Sequence, residues 1–181
     1  MTDLLLHNAR ILDPAQARDE IGFIAVSGGI ISASGAGTPP AELAAAAVKS
    51  YDCGGACLAP GLIDMRVQSA DPGAEHLEDL STLLRAAASG GITSIVALPD
   101  ARPVIDDASM IDSLSLRAHR LGGVRLFLYG AATRKLKGKA MAELGLMADT
   151  GAVGFANGTR TIMDSLVMRR VLSYCDPRNA G

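Results

Sequence analysis

From Pro60 onward the chain alternates short β-rich runs with amphipathic helical stretches, and no other feature constrains its fold as strongly. Residues 62–67 read as a strand. Residues 75–89 read as a helix, with Leu77, Leu80, Leu83 and Leu84 on one face and Gly90-Gly91 at its end. Residues 92–98 read as a buried strand stopped by Pro99. Asp106 or Asp107 caps a helix running to Leu121, whose stripe is Met110, Ile111, Leu114 and Leu121. A third strand over 124–129, a third helix over 141–149, a short fourth strand over 153–155 and a fourth helix over 162–174 complete the pattern. Such alternation implies a parallel sheet with helices packed outside it. A closed (β/α)₈ barrel needs eight units and typically about 250 residues, whereas these 181 residues carry four. The segment is therefore either half a barrel completed by something else or an open four-stranded α/β sheet. Four units by themselves leave the first and fourth strands as open parallel edges, and no internal repeat favours assembly of two identical halves.

The first 58 residues follow a different pattern. Residues 4–12 and 21–32 are β-rich, and the second run reads as a hairpin about Ser27-Gly28-Gly29. A Gly-, Pro- and Ala-rich stretch leads into a short helix over 41–48, with a further strand before Gly54-Gly55. The expected organisation is a small N-terminal β module over residues 1–58 and an α/β unit over 59–181.

Composition narrows the function. Hydrophobic residues make up 49% of the chain, enough to fill a core, so wholesale disorder is excluded. Seventeen Lys plus Arg against nineteen Asp plus Glu leave a formal charge of −2 with no basic–aromatic interleave, so nucleic acid is not an expected partner. No apolar run approaches the roughly 18–20 residues of a bilayer crossing, and Asp3 stands where a signal peptide carries positive charge. A cytoplasmic protein without a membrane partner is expected. Cys53, Cys57 and Cys175 do not resemble a secreted disulfide framework, and the first two read as buried thiols near a turn rather than as half a zinc site.

The segment Ala59-Pro60-Gly61-Leu62-Ile63-Asp64-Met65, followed by Asp71-Pro72-Gly73 and Glu75-His76-Leu77-Glu78-Asp79-Leu80, resembles the dihydroorotases of the amidohydrolase superfamily. The resemblance continues in order through Gly90-Gly91-Ile92-Thr93, Pro103-Val104-Ile105-Asp106-Asp107, Tyr129-Gly130-Ala131, Leu136-Lys137-Gly138 and Gly151-Ala152-Val153, spanning essentially the whole chain. It implies a β-sandwich module followed by the first four units of a (β/α)₈ (TIM) barrel. It also implies a place in pyrimidine synthesis, where the family hydrolyses or closes a cyclic amide with zinc.

That chemistry needs a metal-activated hydroxide held by imidazoles and carboxylates at the barrel mouth. The family's first strand ends in His-any-His, two side chains on one face of a strand, where this chain has Arg66-Val67-Gln68. Arg has no lone pair to offer a metal, and Gln is a poor zinc ligand. The family's substrate-clamping Arg corresponds to Ala70. The Asn that follows the Pro after its second strand corresponds to Asp100, whose charge repels an acidic substrate. A metal-binding Asp after the fourth strand corresponds to Asn157. The family's remaining His ligands and catalytic Asp belong to strands beyond Gly181. A carbamylated Lys135, Lys137 or Lys139 supplies one ligand where four or more are needed.

The resemblance therefore implies a non-catalytic homologue with no catalytic residue, no metal ligand and no cofactor. In the family such chains accompany aspartate carbamoyltransferase and support its assembly; a second copy of the chain or the remaining half of the barrel are the other partners the four-unit count admits. The alternative is an active zinc-dependent dihydroorotase or cyclic amidohydrolase completed by residues or a chain not present here. Arg66 is expected to pair with a carboxylate at the same rim, Asp100 first and Asp71 second, because an unpaired buried charge is costly. His76 reads as a helix-start residue, and His7 and His119 have no catalytic partner in view. No nucleophile elbow is present, and Gly28-Gly29, Gly54-Gly55 and Gly122-Gly123 lack phosphate-loop spacing. The tail from Asp176 to Gly181 reads as the end of a shortened or cleaved chain.

Overall fold

The computed structural model describes residues 2–176, so the tail expectation lies largely outside the described residues. The chain divides into two compact units, one ending at Pro60 and one starting at Gly61.

The first unit is built on β1 (Thr2–Asp13), which pairs antiparallel with β2 (Arg18–Ser27) through matches such as Leu5 with Ala25. β2 turns into β3 (Ile30–Ala36) at Gly28 and Gly29, whose φ values of 58° and 76° suit a two-residue hairpin of the primed type. The Asp3 carboxylate accepts the Gly28 N–H at 2.6 Å and holds that turn. After α1 (Ala41–Ala46), β4 (Ala47–Asp52) and β5 (Cys57–Leu58) run parallel to β1 on its other edge. Leu5, Phe23 and Ala25 form the buried face, with Ala33, Leu43 and Ala47 packed on it. Among the described residues this is one five-stranded sheet rather than a two-sheet sandwich, because α1 supplies Leu43 to the apolar face.

The second unit carries β6 (Leu62–Val67), β7 (Ile92–Ala97), β8 (Arg125–Ala131) and β9 (Gly154–Ala156), all parallel and in that order. The helices α2 (Leu80–Ser89), α3 (Ala108–Leu121), α4 (Leu144–Asp149) and α5 (Ser165–Cys175) alternate with them. Two apolar clusters join helices to sheet. One sets Leu80, Leu83, Leu84 and Ala87 against Ile95, Ala118 and Val124. The other gathers Ile111, Leu114, Leu128, Leu144, Met147 and Val171. Each fully buried side chain of this size contributes about 1.5–3 kcal/mol. β6 and β9 each pair with one neighbour, and Leu62, Ile63 and Met65 of β6 are more than 60% exposed. Among the described residues no helix is long and apolar enough to cross a membrane.

Three helices begin later than their sequence pattern suggests. α2 starts at Leu80 because Asp79 caps it, accepting the Thr82 N–H at 2.7 Å while the Thr82 hydroxyl oxygen accepts the Asp79 N–H at 3.1 Å. Leu77 consequently lies outside the helix and is 75% exposed. α4 starts at Leu144 because Met141 forms a β-bridge with Thr133, and α5 starts at Ser165 behind its cap Asp164. In α3 the cap is Asp107, and Ala118 takes the buried position expected of Leu121.

Candidate functional site

Loops leaving the C-terminal ends of parallel strands are where α/β sheets of this kind place their chemistry. Arg66 lies near the end of β6, in a bulge. Asp64 pairs with Ile95 and Val67 with Ala97, so one residue more is spent on β6 than on β7. A bulge re-aims side chains and breaks strict alternation. Arg66 is exposed, and among the described residues it forms no ion pair, contrary to the expected bridge to Asp100 or Asp71. The reason is on both sides of that bridge: a solvated guanidinium carries no desolvation penalty, and both carboxylates have other partners. The Gln68 amide donates to Asp100 Oδ2 at 3.0 Å, tying the end of β6 to the loop after β7. Asp71 is claimed by α3.

Asn157, just past β9, is engaged at both ends of its amide. Its Oδ1 accepts the Thr133 hydroxyl at 2.6 Å, and its Nδ2 donates to the carbonyls of Arg160 at 3.1 Å and Leu136 at 3.5 Å. Two carbonyls only accept, so this position needs a donor that a carboxylate lacks. Thr133, fully buried, also accepts the Gly138 N–H at 2.9 Å. Asn157 is thus a staple between the loops that follow β8 and β9. Ala70 offers only its backbone, its carbonyl accepting the Ala74 N–H.

The ion pair with the most deeply buried carboxylate among the described residues, Asp71 with Arg117, was not visible in the sequence. Asp71, 2% exposed, accepts two bonds from Arg117, at 2.9 Å from Nη1 and 2.6 Å from Nη2, and also accepts the Leu80 N–H at 3.1 Å. The hydrogen bond to Asp71 raises the Arg117 pKa above its ordinary value. The pair anchors the loop after β6 to α3 and the start of α2. The sequence offered Asp71 as a paired carboxylate but with Arg66 as its partner; nothing in α3's pattern marked Arg117.

The other candidates disperse. His76 is exposed and precedes α2 rather than starting it. Cys57 is exposed and Cys53 half-buried, so neither is the buried thiol expected. Clefts of about 480 Å³ beside His119 and Arg125, and about 540 Å³ beside Arg169 and Tyr174, are lined by none of Arg66, Gln68, Asp100 or Asn157. Among the described residues no group of three or more His, Cys, Asp or Glu is disposed to hold a metal ion. With Arg66 unable to ligate, the Gln68 amide turned to Asp100 and Asn157 spent on backbone carbonyls, the residues present do not fit zinc.

The four parallel βα units define a partial (β/α)₈ barrel of the amidohydrolase type. The fold matches L-hydantoinase (dihydropyrimidinase) from Arthrobacter aurescens with a TM-score of 0.78 at 24% identity, covering 96% of this chain and 38% of that one. It matches N-acyl-D-glutamate deacylase from Bordetella bronchiseptica with a TM-score of 0.64 at 20% identity, covering 96% and 43%. The dihydro-orotase-like family model matches residues 55–172, and the chain belongs to that family. It is 36% identical over 172 residues to a dihydroorotase from Pelobacter propionicus, covering 95% of this chain and 40% of the relative. It is 35% identical over 169 residues to a dihydroorotase-like protein from Pseudomonas aeruginosa, covering 93% and 39%. The chain spans about two-fifths of the length of these relatives.

Proposed function

We propose that this chain is a dihydroorotase homologue of pyrimidine biosynthesis that carries out no hydrolysis and serves a structural role, supporting the assembly of aspartate carbamoyltransferase. The observation that carries the reading is the donor set at the strand ends: an exposed guanidinium at Arg66, an amide at Gln68 bonded to Asp100, and an amide at Asn157 bonded to Leu136 and Arg160. A hydrolytic zinc needs several anionic or neutral lone-pair donors around one point; the guanidinium has no lone pair to give and the two amides are committed to other partners. Asp100 adds a negative charge where an acidic cyclic amide would approach.

The second reading is an active zinc-dependent cyclic amidohydrolase completed by residues or a chain not present here. It is favoured by the name dihydroorotase on relatives 32–38% identical to this chain. One experiment separates the two. The chain is mixed with aspartate carbamoyltransferase and followed by sedimentation velocity, while dihydroorotate turnover is assayed with and without added zinc. Co-sedimentation without turnover is the expected result; zinc-dependent turnover that a chelator abolishes would establish the second reading instead.

A further inference from the structure

Three of the chain's four lysines fall within five residues, Lys135, Lys137 and Lys139, in a protein whose formal charge is −2. They sit on the loop between β8 and α4, at the same end of the sheet as Gln68, Asp100 and Asn157. All three are exposed, while the residues between them, Leu136 and Gly138, are buried. Two acids that contact this loop bond to groups other than the ammoniums: Glu143 pairs with Arg134 at 2.8 Å, and Asp106 accepts the Lys135 backbone N–H at 2.8 Å. Among the described residues no ion pair neutralises any of the three lysines.

The loop is also held in an unusual shape. Lys135 and Leu136 both have positive φ, 55° and 56°, a left-handed conformation costing roughly 1–2 kcal/mol per residue for side chains of this kind. Buried Leu136, the Thr133 hydroxyl, the Asp106 carboxylate and the Asn157 amide hold it there. The ammonium groups are therefore presented from a fixed backbone, separated by the buried Leu136 and Gly138.

We propose that this loop is a docking surface for an acidic segment of a protein partner, with Lys135, Lys137 and Lys139 meeting a row of carboxylates. The inference rests on the structural role proposed above and names the face that serves it. Charge complementarity argues for a short acidic protein segment over a polyphosphate strand. The loop after β6, at the same end of the sheet, carries Glu75, Glu78 and Asp79, which repel an extended nucleic-acid backbone but tolerate a ligand confined to the lysines.

The test uses fluorescein-labelled deca-glutamate in an anisotropy titration against the whole chain and against the triple variants K135E/K137E/K139E and K135Q/K137Q/K139Q. The side chains are exposed, so unchanged far-UV circular dichroism confirms that each variant is folded. Salt-sensitive binding by the wild type, weakened about tenfold or more by charge reversal and less by the glutamines, supports the proposal. Absence of binding by the wild type, or equal binding by all three chains, overturns it. So does displacement of the peptide by inorganic phosphate beyond that caused by sodium chloride of equal ionic strength, which would assign the loop to a phosphate ligand. In parallel, sedimentation with aspartate carbamoyltransferase separates the two levels. Retained complex in the charge-reversed chain refutes the docking face alone, whereas peptide binding without any complex in the wild type refutes the proposed partner and upholds the acidic-segment surface.

Discussion

Replacing Asn157 with Asp exchanges an amide for the carboxylate that the dihydroorotase resemblance places at this position, and the structure gives that exchange a definite direction. The Thr133 hydroxyl still has an oxygen to donate to, so the 2.6 Å bond survives. What is lost is the donor side: the Arg160 carbonyl at 3.1 Å and the Leu136 carbonyl at 3.5 Å face a negative oxygen instead of an N–H. A lost intramolecular hydrogen bond costs about 0.5–1.5 kcal/mol, with the longer contact at the weak end, and an unpaired acceptor near buried Leu136 adds a further penalty. About 2–3 kcal/mol of destabilisation at pH 7 is expected for Asn157→Asp, a fall in Tm of about 4–10 °C for a chain of this size. The penalty carries a pH signature. Protonating the introduced carboxyl restores one donor, so its pKa rises on folding; the native state then binds the proton more tightly, and the deficit shrinks as pH falls from 7 toward 4. Asn157→Ala loses these bonds and the Thr133 bond as well, but without a titrating group, so its deficit stays flat over that range. Thermal melts followed by circular dichroism at the two pH values read both effects. An Asn157→Asp chain as stable as the wild type at pH 7, and stabilised further by added zinc, would refute the reasoning, because the carboxylate would then have found the ligand role denied to it here.

Asp71→Asn leaves one acceptor oxygen for the three N–H groups that Asp71 now satisfies, two on Arg117 and one on Leu80. Arg117 is half exposed and keeps some hydration, so about 2–3 kcal/mol is expected, measured by urea unfolding. Asp107→Ala removes the α3 cap and costs about 1 kcal/mol. Hydrogen bonds from Ser109 and then the Met110 N–H lower the Asp107 pKa, so its contribution is complete above about pH 4 and fades as pH drops through the lowered folded value; wild-type and variant melts should converge in acid. Gly73→Ala should unfold the loop after β6, because φ is 104° there and a Cβ would sit 1.9 Å from the Arg102 carbonyl oxygen; loss of protease resistance reports it. Arg66→Ala changes stability by less than about 0.5 kcal/mol in the same melts, as suits an exposed side chain without a partner.

The β–α alternation after Pro60 was legible because each element carries its own signal. Apolar runs mark β6 and β7, Leu80, Leu83 and Leu84 mark α2, and glycines end α2 and α3. Helix starts were less legible: apolar spacing continues through Leu77, while the actual start is decided by the Asp79–Thr82 capping box. At the candidate site, residue identity was enough to argue that Arg66, Gln68 and Asn157 are poor ligands. Where those side chains turn was not readable, since the bulge in β6 that frees Arg66 and the Thr133 hydroxyl that receives Asn157 depend on strand register and on contacts 24 residues apart. The Asp71–Arg117 pair spans 46 residues and leaves no local trace.

The strand ends of this half-barrel hold side chains unfit for a hydrolytic metal. Isothermal titration with zinc, on the wild type and on a chain with Cys53, Cys57 and Cys175 changed to Ser so that thiols contribute nothing, tests it most directly. No stoichiometric uptake by the thiol-free chain is expected. One or more zinc ions bound per thiol-free chain, and lost again on Gln68→Ala or Asn157→Ala, would contradict it.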